Sequence, residues 1–164
     1  MRVTDIEIRD YQRSDAEDLN RIAVSAFSQF SDQYQDWPAM LAGLSKISDL
    51  STSGEVIVAE FQNRLAGAVA YFGPRSRKAP FFDPQWPVIR MLVVDPEFRG
   101  KGIGRALSKE CIARAERDGS PIIALHTSPI MTVALPMYLR MGFVKAYDAP
   151  PIFGVAYAVY TKAL

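Results

Sequence analysis

The chain has a single cysteine and a single histidine among its 164 residues. One thiol cannot close an internal disulfide framework or build a CxxC metal site, so no metal is expected. No apolar run approaches the roughly 18 residues needed to cross a membrane as a helix. The opening stretch, MRVTDIEIRD, lacks the apolar centre of a secretory leader. A cytoplasmic protein with no membrane attachment is therefore expected. Charge of either sign is also scarce in excess: 19 Lys plus Arg stand against 18 Asp plus Glu, a net charge of +1. That balance provides no basic footprint for nucleic acid. Internal repeats, low-complexity tracts and linker-like breaks are missing as well. Residues 1–164 are read as one domain, long enough to bury a sizeable core.

What is present is organised around VIRMLVVDPEFRGKGIGR, residues 88–105. Its first half is nearly unbroken apolar and bounded by Pro87 and Asp95-Pro96, which predicts a strand buried on both faces. Its second half carries Gly100, Gly102 and Gly104 among Arg99, Lys101 and Arg105. From Ile103 onward, Ile103, Leu107, Cys111 and Ala115 recur every fourth residue, the spacing of one helical face. The order is strand, glycine-rich turn, helix. The first turn of a helix has N–H groups without intrahelical partners, at the positive end of the macrodipole. Glycines bare the backbone and permit positive φ. Together these features make a nest for an anion, and phosphate is its natural guest. Two familiar phosphate loops do not fit. A Walker loop needs four residues between its glycines, followed by Gly-Lys-Ser/Thr. The dinucleotide fingerprint needs a third glycine three residues after Gly102, where the chain has Arg105.

Elsewhere, alternation over residues 5–11 predicts a half-buried strand. Ser14, with Glu17 three residues on, reads as a capping box for a helix reaching about Phe30, its apolar face formed by Leu19, Ile22, Ala23 and Ala26. A polar-aromatic break and a weaker helix over residues 39–50 follow. EVIVAEF and the returning residues 65–72 form a hairpin. Residues 73–86 make a long connection with Phe81, Phe82, Trp86 and the basic residues Arg75, Arg77 and Lys78. After the long helix, stopped at Gly119, PIIALHT is a second buried strand, parallel to the first through a βαβ crossover. A short helix within residues 128–141 ends at Gly142. Final strands are expected at 143–147 and 155–161, with a loop between them.

The pattern Val94, Pro96, Arg99, Gly102, Gly104 resembles the acetyl-CoA pyrophosphate loop of the GNAT-superfamily N-acetyltransferases. A second stretch is similar to that family's N-x-x-A-x-x-x-Y-x-x-x-G-F motif at Ala134, Tyr138, Gly142 and Phe143. It departs at the Asn position, which is Met131, and holds Pro136, which must sit in the first turn or kink the helix. In the family that Asn bonds the pantetheine arm; with Met131 the contact is lost or passes to backbone. The resemblance implies an α/β GNAT fold: a mixed, mostly antiparallel twisted sheet of about six or seven strands flanked by about four helices, with a central parallel pair splayed to admit the pantetheine arm.

The resemblance further implies transfer of an acetyl group from acetyl-CoA, as co-substrate, to a primary amine of a small molecule or peptide, by a monomer or homodimer. Acetyl-CoA would be held by Leu92, Val93, Val94, Arg99, Gly100, Lys101, Gly102, Ile103, Gly104 and Arg105. A backbone N–H on the strand edge at residues 92–94 would polarise the thioester carbonyl. Tyr138 is the candidate acid for the departing thiolate, whose thiol has a reference pKa of about 8.5; otherwise it is a helix tyrosine packing on the sheet. His126 could take the amine proton, or be a strand-end ring bonded to backbone. Many relatives keep a carboxylate base on the central strand, and none stands there here. Arg75, Arg77 and Lys78 either meet the 3′-phosphate or an acidic acceptor, or form a solvated loop. Phe27, Phe30, Tyr34 and Trp37 lie where the family builds its acceptor wall, or are core. Cys111 reads as core rather than nucleophile. The alternative to an enzyme is a non-catalytic acetyl-CoA sensor or scaffold.

Overall fold

The computed structural model describes residues 5–164; the first four residues, part of the stretch read for a leader, lie outside the described residues. Seven strands form one sheet in the order β1-β2-β3-β4-β5-β7-β6. They are β1 (Ile6–Asp10), β2 (Glu55–Phe61), β3 (Arg64–Phe72), β4 (Val88–Val94), β5 (Ile122–Thr127), β6 (Val144–Ile152) and β7 (Val155–Ala163). All neighbours are antiparallel except β4 and β5. The helices are α1 (Ala16–Phe27), α2 (Trp37–Leu44), α3 (Ile103–Arg117) and α4 (Ala134–Arg140). Two apolar clusters occupy the two sheet faces, one built with α1 and α2, the other with α3 and α4.

The parallel pair touches at one register point, Val88 opposite Ala124, where the Ala124 N–H donates to Pro87 O at 2.9 Å. Beyond that point the strands part, as the splayed pair expected from the sequence requires. β4 also carries an extra residue against β3: Ala68 faces Val93 while Ala70 faces Arg90. Met91 absorbs it with φ +55°, so this is a bulge that re-aims the strand just inside the opening.

α3 is clamped at both ends. Its stripe of Ile103, Leu107, Cys111 and Ala115 is buried as the spacing predicts. Near its start it presses on β3 at Gly67, where a Cβ would come within 2.7 Å of Val93 O and 3.1 Å of the Ile103 side chain. At its far end Arg114 pairs with Asp10, Glu55 and Glu110, Arg117 pairs with Glu55, and Tyr71 Oη donates to Asp118 at 2.7 Å.

Several sequence expectations need correction. The capping box lies two residues earlier: the Gln12 N–H donates to the Asp15 carboxylate at 2.8 Å, Arg9 grips the same carboxylate, and Ser14 and Glu17 take no part. The weaker second helix is two pieces, α2 and a 3₁₀ turn at Ile47–Thr52. The expected loop after residue 147 is strand: β6 continues through Pro150 and Pro151 to Ile152. β6 is the sheet edge, where prolines remove no ladder bond that a neighbour needs, and the register slips between Ala149 and Ile152.

Candidate active site

The glycine turn forms the cradle its spacing suggested. Asp95 caps a single 3₁₀ turn by accepting from the Glu97 N–H at 3.0 Å, and the chain then runs extended through Arg99. Gly100 and Gly102 have φ of +77° and +83°. No atom lies within 4 Å of a Cβ built at either, so conformation, not crowding, requires glycine there. Among the described residues, no N–H from Gly100 to Arg105 donates to a backbone carbonyl; the first helical bond is from Ala106 to Gly102 O. Arg99 and Arg105 are exposed and carry no ion pair among the described residues. Lys101 stands over the Phe61 ring at 5.0 Å. Gly104 differs: its Cβ would make ordinary contacts of 3.6–3.7 Å with Met137, Leu92 and Val94.

The cradle opens onto the free edge of β4. Because the Asp95 N–H donates to Ala66 O on β3 at 2.8 Å, strand alternation turns the Val94 and Leu92 N–H groups the other way, toward the gap left by β5. Val93 is buried on the α1–α2 side, while Leu92 and Val94 join the α3–α4 cluster.

Tyr138 is buried on α4, edge-on to Phe143 with centroids 5.6 Å apart. Burial pushes its phenol pKa upward, with a hydrogen bond to Ser108 opposing the shift. Ser108 in turn donates to Gly104 O at 2.8 Å, linking the phenol to the cradle's helix. Sequence reasoning missed Ser108, because nothing in a helical stripe marks a serine as the neighbour of a tyrosine thirty residues on. Pro136 sits in the first turn of α4, where its missing N–H is one of the orphans anyway. Met131 packs against the α1–α2 core. Cys111 is fully buried, and its thiol pKa is pushed far up by burial, which suits a core residue and not a nucleophile.

His126 lies on the other face, in an aromatic box. Phe81 and Tyr157 each stand 5.2 Å away edge-on and Phe82 5.7 Å away. Tyr157 is fixed by a 2.5 Å hydroxyl contact with Tyr34. The ring is not bonded to backbone, the alternative considered above. Nδ1 is buried without a partner, the single side-chain atom of that kind among the described residues. Its pKa is lowered to about 4, first by burial and then by the charge of Arg90, so the ring is neutral at pH 7. Phe27 and Tyr34 are core, with Phe30 and Trp37 packed beside them. Gln35 N–H donates to Phe153 O at 2.8 Å, tying the α1–α2 loop to the β6–β7 turn over this box.

The basic loop does not act as a unit. Lys78 donates to Gly73, Ser76 and Pro84 carbonyls at 2.7–3.1 Å and pins the loop on itself. Arg75 shares a cleft with Tyr71 and Asp118, at the far end of a 15-residue helix, roughly 22 Å from the cradle at 1.5 Å per residue. It cannot meet a phosphate at Gly102.

The sequence matches the Acetyltransferase (GNAT) family model over residues 9–143. The chain belongs to the GNAT acetyltransferase family. This GNAT chain is 33% identical over 105 residues to the rat N-acetyltransferase 8F1, covering 64% of this chain and 46% of that one. It is 26% identical over 132 residues to the Bacillus subtilis S-alkylcysteine N-acetyltransferase, covering 79% and 73%. The chain spans less than half the length of the rat relatives it matches, 37% and 46%. Its fold is shared with a putative Salmonella typhimurium acetyltransferase, yncA, solved with acetyl-CoA (19% identity, TM-score 0.70, 98% and 94% of the two chains). It is also shared with a Thermoplasma acidophilum N-acetyltransferase solved with coenzyme A (18% identity, TM-score 0.70, 97% and 99%). The splayed seven-stranded sheet of this GNAT member is thus the family's architecture. Among the described residues, no helix is long and apolar enough to cross a membrane.

Proposed function

We propose that residues 1–164 form one N-acetyltransferase domain that moves an acetyl group from acetyl-CoA to a primary amine held in the same complex. The observation that carries this reading is the junction of two unsatisfied backbone sets. Free N–H groups of the glycine turn meet the unpaired edge of β4. The turn fits a diphosphate, with Arg99, Lys101 and Arg105 around it. The open edge fits an extended arm with amide groups.

Acetyl-CoA, when bound, supplies the acetyl group as an activated thioester. The N–H groups of Leu92 and Val94 are the donors available to a carbonyl oxygen at that edge, an oxyanion-hole role. Tyr138 is the proton donor to the departing sulfur; its raised pKa keeps the phenol protonated at neutral pH, as a donor must be. His126 is the group available to take the amine proton. Nδ1 is buried, which leaves Nε2 as the nitrogen assigned to that role. A ring already neutral at pH 7 can accept without first losing a proton.

The test is thiol release from acetyl-CoA across a panel of amines, with a no-amine control, together with thermal shifts by acetyl-CoA, ATP and NAD. Acetyl-CoA should raise Tm more than the other two, and at least one amine should accelerate thiol release; equal shifts would remove the cradle assignment. A second reading, an acetyl-CoA-binding sensor, draws support from Met131 packing into the core and from the missing carboxylate on β4. It is the surviving reading if acetyl-CoA binds and no amine releases thiol.

A further inference from the structure

β4 is apolar except at one position. Arg90 interrupts VIRMLVV, and a cation inside such a strand needs a reason. Val88 and Ala124 are register partners and both belong to the α1–α2 core. Side chains alternate along a strand, so Arg90, two residues past Val88, and His126, two past Ala124, share that face. They stand on the two strands just where these part. Arg90 keeps exposed surface. Among the described residues its guanidinium has no ion pair and no hydrogen bond; its neighbour is the Phe72 ring at 5.4 Å. Enough protein surrounds it that lost hydration lowers its pKa. Its five donors are unused.

No carboxylate stands on β4 or β5, whose sequences are VIRMLVV and IIALHT. The formal charge these strands present to the opening is positive. A polyamine would bring cations to a cation and find no counter-charge on either strand. A zwitterion matches: its carboxylate takes the guanidinium bidentately, and its amine stays two bonds away, between Arg90 and His126. The adjoining wall is aromatic, with Phe81 and Phe82 beside His126 and Trp86 stacked on Tyr147. That surroundings suits an apolar substituent.

We propose that Arg90 anchors a carboxylate on the acceptor, so that this site takes α-amino acids with an apolar side chain. The proposal rests on the acetyl-transfer reading above. In the step it implies, the amine nitrogen bonds the acetyl carbon and the carbon–sulfur bond breaks. The amine proton passes to His126 Nε2, and the sulfur takes a proton from Tyr138. The bound carboxylate also offsets the Arg90 charge that His126 feels, which strengthens the base when the acceptor is in place.

The experiment compares kcat/KM for L-leucine, L-phenylalanine and L-methionine with their amides, with 3-methylbutylamine and with spermidine. The amides carry the less basic amine, so intrinsic reactivity at neutral pH favours them. The acids should nevertheless lead by roughly tenfold, as expected for a hydrogen bond to a charged group that is only partly removed from water. Arg90→Gln should erase that lead through KM, with the acids losing far more than the amides, which respond only through the Arg90 charge that His126 no longer feels, and Arg90→Lys should restore part of it. Amides or spermidine matching the acids, equal losses for acids and amides in Arg90→Gln, or no thiol release with any acid would each overturn the assignment. A thermal shift by acetyl-CoA in the same samples separates the two levels. Its absence brings down acetyl transfer itself, whereas its presence without a carboxylate preference brings down only the role of Arg90.

Discussion

His126 should write its burial into the pH dependence of stability. Its pKa is lowered from 6.5 to about 4, first by loss of hydration inside the Phe81, Phe82 and Tyr157 box and second by Arg90. Tyr157 faces it, with Tyr34 bonded behind it, and both are neutral phenols, since burial raises both. Between pH 6.5 and about 4 the unfolded chain binds a proton at this ring and the folded chain does not. Stability therefore rises with pH across that window and falls as the pH drops through it. At 1.36 kcal/mol per pH step of full difference, the loss is roughly 1 kcal/mol by pH 5.5 and roughly 2–3 kcal/mol by pH 4.5, against a typical total of about 5–15 kcal/mol. The carboxylates with lowered pKa values, Asp15, Glu55 and Asp118, lose their contribution at more acidic pH, below their ordinary range. The perturbation is His126→Leu. Urea midpoints for both proteins at pH 7.5, 6.5, 5.5 and 4.5 give the difference, which cancels everything the two share. Whatever the variant's stability at pH 7.5, its acid limb should be flatter by the stated amount. Parallel curves from pH 7.5 to 4.5 would refute the buried, neutral ring.

Gly102→Ala and Gly104→Ala test the cradle. The first forces a side chain into φ +83° at a cost of about 1–2 kcal/mol and should weaken coenzyme A binding measured by calorimetry; the second meets only ordinary contacts and should leave binding within about twofold, so equal effects would count against the conformational argument. Tyr138→Phe should lower kcat at least about tenfold with little change in acetyl-CoA affinity, and cost about 1 kcal/mol of stability for the lost Ser108 bond; unchanged turnover would remove the phenol from the chemistry.

The sequence made some parts of this molecule plain for reasons that are local. Gly100 and Gly102 were legible because positive φ is a single-residue demand. The stripe from Ile103 to Ala115 was legible because one helix face meets one sheet face. The splay of β4 from β5 was legible only through the family resemblance, since no residue of either strand announces where pairing stops. Pro150 and Pro151 read as loop because proline denies a ladder bond, and only the strand order, with β6 outermost, shows that no neighbour needed it. Ser14 and Glu17 lost the capping box to Gln12 and Asp15 because Arg9, fixed on β1, holds the Asp15 carboxylate. The box around His126 was not legible, because Phe81, Phe82 and Tyr157 reach it from a long loop and a distant strand.

Arg90 was visible all along as the odd residue in an apolar strand, yet its meaning depended on its company. Arg90 keeps exposed surface, but the protein around it takes part of its hydration and, among the described residues, no group of the fold returns it. The less exposed guanidiniums are matched: Arg9 holds Asp15 and Glu60, and Arg114, with only 13% of its side chain exposed, holds three carboxylates. The same face holds the one buried polar side-chain atom without a partner among the described residues, His126 Nδ1. Two uncompensated groups, one charged and one basic, flank the same gap between β4 and β5. Beside the unpaired N–H groups of the cradle, these two are the demands that an acceptor with a carboxylate and an amine can meet together.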